Sequence, residues 1–70
     1  MKLSARNQLS GTVTSINTGA AIANVALDVA GQRLVASITV EAVDDLGLSE
    51  GSQVTAVIKA SDVIIATDAG

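Results

Sequence analysis

The stretch IANVALDVAGQRLVASITV, residues 22–40, alternates apolar with mixed positions, turns once, and alternates again. In its first half Ala23, Val25, Leu27 and Val29 share one face, with Asn24, Ala26 and Asp28 on the other. Past the turn AGQ (30–32), Leu34, Ala36, Ile38 and Val40 face one way, and Arg33, Val35, Ser37 and Thr39 the other. A side-chain period of two over runs of this length reads as strand. Gly31 is free to take the positive φ that a tight turn needs.

Working outward, QVTAVIK (53–59) repeats the alternation, with Val54, Ala56 and Ile58 against Gln53, Thr55, Val57 and Lys59. Residues 9–16 and 62–67 are rich in Val, Ile and Thr and add two further strand candidates, making five. NTGA (17–20) and SEGS (49–52) supply the turns. Between the third and fourth strands, VEAVDDLG (40–47) changes period. Val40, Val43 and Leu46 recur at helical spacing, Glu41 lies in the first turn, and Gly47 stands where a helix ends. The spacing predicts one short helix of about two turns. Five strands with a helix between the third and fourth point to an all-β fold, a five-stranded OB-like Greek-key barrel. A chain of 70 residues makes a single domain, 1–70.

Such a chain buries only about 60% of its unfolded surface and is marginal alone. With no Cys and no His, disulfides and zinc held by thiolate or imidazole are excluded as supports. Aromatic residues are absent, so the core rests on Val, Ile, Leu and Ala, while mean hydropathy is +0.52. Ala26, Val35, Val57, Ile64 and Ala66 point away from the apolar stripes and recur on most strands. Together these features predict an oligomer whose subunits cover one another.

A net charge of −3 and a pI near 4.3 argue against a nucleic-acid partner. No apolar run reaches membrane-spanning length, so no membrane partner is expected and the default location is the cytoplasm. No Cys, His or catalytic spacing of Lys and Asp marks an enzyme. Asp44-Asp45 lacks the alternating oxygens of a calcium loop, so no metal cation site is expected. What remains is a set of donors. Ser4, Arg6 and Asn7 precede the first strand, Lys59, Ala60 and Ser61 bend between the last two, and Thr39 ends the third. If they meet, two fixed positive charges, hydroxyls and backbone N–H groups suit an oxyanion. The same residues also make ordinary turns, with Arg6 or Lys59 paired to Asp62 or Glu50, and the residues alone leave both readings open.

SARNQLSGTVTSI (4–16), LVASITVEAVDDLGL (34–48) and KASDVIIATD (59–68) resemble the molbindins, the small Mop-type molybdate-binding proteins. Related modules end molybdate-responsive regulators and molybdate importer ATPases. The resemblance spans residues 1–68, and the paired SARN and KAS signatures make it specific. It implies an OB-like fold assembled as a homohexamer, a trimer of dimers, with oxyanion sites between subunits. Ser4, Ala5 and Arg6 would line the anion from one subunit, and Thr39, Lys59, Ala60 and Ser61 from the other. Arg6 and Lys59 would give charge, Ser4, Thr39 and Ser61 hydroxyls, and Ala5 and Ala60 backbone N–H groups. A second site class uses main-chain groups near a three-fold axis, for which the turn Gly19, Ala20, Ala21 is the candidate. The implied ligand is molybdate, a proton-free dianion, with tungstate bound as well for its near-identical size and charge. A shell of donors without acceptors would disfavour protonated phosphate. The implied function is molybdenum storage and homeostasis in the cytoplasm; the alternative is a module that senses molybdate and reports it to a protein partner.

Overall fold

The chain runs β1 (Asn7–Thr18), β2 (Ile22–Val29), β3 (Gln32–Thr39), α1 (Val40–Leu46) and β4 (Gln53–Ile58), then one 3₁₀ turn at Ala60–Asp62. These elements come from a computed structural model that describes residues 2–68; Met1, Ala69 and Gly70, the ends of the expected domain, lie outside the described residues. The strands form one antiparallel sheet in the order β3-β2-β1-β4. Three hairpin-connected strands with a fourth returning beside the first are the Greek-key arrangement. The long return from β3 to β4 carries the expected helix.

The hairpin at residues 22–40 pairs one-to-one from Ile22↔Thr39 to Val29↔Gln32, leaving Ala30 and Gly31 as a two-residue loop. Both have positive φ, 51° and 84°, the type I′ geometry whose twist matches that of the strands it joins. β1 changes partner along its length: residues 7–12 pair with β4 and 12–18 with β2. A bulge interrupts the second pairing between Val13 and Ser15, and the Thr14 hydroxyl donates to the Ala26 carbonyl at 3.2 Å. Here β1 also passes close to β2. A Cβ on Gly11 would stand 3.0 Å from Val29 Cγ2 and 3.1 Å from the Asp28 carbonyl, which accounts for glycine inside a strand.

α1 is capped at both ends. Thr39 Oγ1 accepts the Ala42 N–H at 3.0 Å, and Gly47 takes φ 63° as the chain leaves, with the Leu48 N–H returning to the Val43 carbonyl at 3.1 Å. Val43 is the helix's buried residue and joins Val13, Ala23, Val25 and Leu27 in the core. Leu34, Ile38, Val54 and Ala56 pack around them, so the faces read from alternation are the ones that turn inward. Ala26 differs. Expected to face away from the core, it is buried, because its single methyl lies on an inner strand between β1 and β3.

The expected fifth strand, 62–67, is not formed, and the closed five-stranded barrel is corrected to a four-stranded curled sheet. Ala60–Asp62 turns the chain out of line with β4, and residues 63–67 belong to no element. High β-propensity makes a strand only where the chain lies along a sheet edge, and the turn carries this segment away from β4. Ile64 and Ile65 are 92% and 81% exposed. The sheet nevertheless curls, since the edge strands β3 and β4 line opposite sides of one apolar cleft of ≈ 430 Å³, with Val35 and Ile38 on one side and Val57 and Ile58 on the other.

Candidate functional site

The ladder between β1 and β4 sets the geometry of the site. It runs in constant register from Thr12↔Gln53 to Asn7↔Ile58 and is anchored further in, where the Val13 N–H donates to the Ser52 carbonyl at 2.9 Å. One residue beyond the last pair stand Arg6 on one strand and Lys59 on the other. Past this point the pairing ends, and the 3₁₀ turn at Ala60–Asp62 carries Ala60 and Ser61 beside the segment of Ser4 and Ala5, where all four line one cavity. The two signatures at opposite ends of the chain are therefore brought to one end of the sheet by the β1–β4 pairing and line one cavity there.

Local bonds hold this end of the sheet. The Asn7 side-chain amide donates to the Ile58 carbonyl at 3.2 Å, so Asn7 closes the ladder with one of its two N–H donors. Gln8 Nε2 donates to the Ala5 carbonyl at 3.2 Å and ties the N-terminal segment to β1. Across the way, the Asp62 N–H donates to the Lys59 carbonyl at 2.9 Å and the Val63 N–H to the Ala60 carbonyl at 3.2 Å.

Residues 4–6 and 59–62, with Val57, line one open cavity of ≈ 600 Å³. Two of the chain's four cations meet there. Their placement contrasts with that of Arg33, which the register of β2 and β3 sets opposite Asp28. Among the described residues Arg6 has no such cross-strand partner, and it lines the cavity with Lys59 and Asp62. The two cations repel each other at short range, and neither Arg6 nor Lys59 takes part in the side-chain hydrogen bonds found among the described residues. An anion between them removes that repulsion and gains charge-assisted bonds. Hydroxyls at Ser4 and Ser61 add donors that can rotate to suit. Among the described residues there is no group of three or more His, Cys, Asp or Glu able to hold a metal ion.

Residues 4–6 and 59–61, expected on two different subunits, also line one cavity within a single chain. Thr39 stands apart. It ends β3 at the opposite edge of the sheet and pairs with Ile22, beside the turn of Gly19, Ala20 and Ala21. Its hydroxyl accepts from α1 and keeps its own proton to donate. In the turn, the Gly19 N–H bonds the Ile22 carbonyl at 2.8 Å, and the Ala21 carbonyl accepts the Val40 N–H at 2.8 Å. The candidate second site is thus a backbone turn at the far end of β1 from Arg6. One cavity residue escaped the donor inventory: Asp62, an acceptor, adjoins the KAS signature directly. No helix among the described residues is long and apolar enough to cross a membrane.

Comparison with known proteins extends this picture. Residues 3–65 match the family model of the TOBE domain. The chain is similar to molybdenum-pterin-binding protein 3 of Clostridium pasteurianum, 47% identical over 66 residues, covering 93% of this chain and 97% of that one. A molybdate-binding protein from Sporomusa ovata superposes with a TM-score of 0.92 at 42% identity, over 96% of this chain and all of the other. ModG, described as a cytoplasmic molybdate-binding protein and solved with molybdate bound, gives 0.87 at 51% identity, over 91% of this chain and 46% of ModG. The curled sheet is thus an OB-like fold shared with these molecules.

Proposed function

The chain belongs to the molbindin family, the Mop-type molybdate-binding proteins built on a TOBE domain, and on that premise we propose that it binds molybdate in the cavity between residues 4–6 and 59–61. The observation that carries this reading is the meeting of Arg6 with Lys59. Just beyond the last pair of the β1–β4 ladder, the two cations line one cavity together with Ser4 and Ser61. Arg6 and Lys59 neutralise the dianion, the two serines donate from their hydroxyls, and Ala5 and Ala60 donate through backbone N–H groups. Tungstate, alike in size and charge, binds in the same way. The reading is of binding without catalysis, serving molybdenum storage in the cytoplasm.

The cavity of one chain is open and far larger than a single tetrahedral oxyanion, which favours closure by another copy. Thr39, at the opposite sheet edge, supplies its hydroxyl from such a copy, and the turn at Gly19, Ala20 and Ala21 forms the second class of site where copies converge. The apolar cleft between β3 and β4, together with the exposed Val63, Ile64 and Ile65, offers each chain surface for the contact. We take the assembly to be a homohexamer, a trimer of dimers.

The test is calorimetric titration with molybdate, with sulfate as control and molar mass determined in the same buffer. Saturable heat with molybdate from a hexamer is the expected result. Absence of heat from a correctly folded sample overturns the assignment, and binding by a monomer overturns the shared site.

A further inference from the structure

A shell made only of donors excludes any oxyanion that carries a proton, because the ligand hydroxyl would meet another donor. The cavity is not such a shell. Asp62 lines it alongside Arg6, Lys59, Ser4 and Ser61. Its place is fixed by the backbone: its N–H is bonded to the Lys59 carbonyl, so the 3₁₀ turn that presents Lys59 and Ser61 presents Asp62 as well. A carboxylate at neutral pH only accepts, and no side-chain hydrogen bond found among the described residues occupies it.

We propose that Asp62 is a specificity residue that opens this pocket to protonated tetrahedral oxyanions, hydrogen phosphate being the representative, in addition to proton-free molybdate. The inference rests on the oxyanion reading of the cavity and names a second class of ligand for it. Molybdate and hydrogen phosphate are both dianions, so the charge of Asp62 opposes them alike. They differ in that phosphate carries one O–H, and Asp62 is the acceptor available to receive it. For molybdate Asp62 is purely repulsive; for hydrogen phosphate the repulsion is offset by a charge-assisted hydrogen bond.

The experiment is competition calorimetry of molybdate, sulfate and phosphate on the wild-type protein, on Asp62→Asn and on Asp62→Ala. Asp62 is exposed and contributes only its backbone to the turn, so both variants keep the fold. In Asp62→Ala the affinity for molybdate and for sulfate rises together, while the preference for molybdate over phosphate grows by roughly tenfold, the worth of one charged hydrogen bond. Asp62→Asn, which keeps a neutral acceptor, shifts that preference less. A molybdate-to-phosphate preference unchanged across the three proteins overturns the inference and leaves molybdate binding standing, as does a wild-type protein that takes molybdate but no phosphate. Failure of the wild type to bind molybdate removes the oxyanion reading itself and this inference with it.

Discussion

Arg6 and Lys59 sit together because of where their strands stop pairing. A guanidinium and an ammonium lining one cavity repel each other by an amount that salt screens. Arg6→Gln therefore raises the melting temperature of ligand-free protein at low ionic strength, and the gain disappears at high ionic strength. If molybdate is held between the two cations, the same variant loses most of the thermal shift the ligand gives, because one of two charge-assisted anchors is gone. Thermal melts with and without molybdate at two salt concentrations read both effects; a lower ligand-free melting temperature would mean that Arg6 is a structural partner after all. The residue types of this site were legible in the sequence, since SARN and KAS stand out in a chain so poor in cations. Their meeting was not, because it depends on β1 pairing with β4 across the length of the chain. Asp62 was passed over for a related reason. Read as a possible partner for Arg6 or Lys59, it was counted as an alternative to the site, whereas the turn makes it part of the lining.

At the scale of elements, the hairpin of β2 and β3 shows how local rules decide structure. Its loop takes left-handed conformations at both residues, which costs an alanine about 1 kcal/mol but suits asparagine, the favoured residue before glycine in this turn. Ala30→Asn is expected to stabilise the protein by part of that amount, about 0.5–1 kcal/mol, measured by urea unfolding at fixed protein concentration. A loss of stability would mean that the Ala30 methyl makes a contact in the assembly. Alternation identified the strands and the inward faces, and helical spacing with Gly47 identified α1 to within a residue. It could not tell that residues 62–67 stay unpaired, since periodicity reports which face a side chain takes and says nothing about a neighbouring edge. Ala26 was misplaced for a similar reason: a methyl on an inner strand is covered by its neighbours whichever side it faces.

For the whole molecule, the exposed tail and the cleft between β3 and β4 are what a single chain leaves unfinished. Ile64 is 92% exposed and contributes nothing to the chain's own core, so Ile64→Asp keeps the monomer fold. If that side chain is covered by another copy, the variant has a smaller molar mass by light scattering and a weaker thermal response to molybdate, because a ligand held between copies stabilises only the assembled form. An unaltered mass would remove the tail from the interface.

The change of partner along β1 has a kinetic consequence. The Asn7 end of the strand is held by β4 and the Thr18 end by β2, with the bulge at Thr14 between them. Eleven steps of about 3.3 Å separate the two ends by at most roughly 36 Å. Each end can fray without the other, so backbone amides near Asn7 and near Thr18 should exchange with deuterated solvent as independent clocks. Anion arriving between Arg6 and Lys59 would slow the first clock and leave the second running, so that within one chain the two candidate sites can be timed apart.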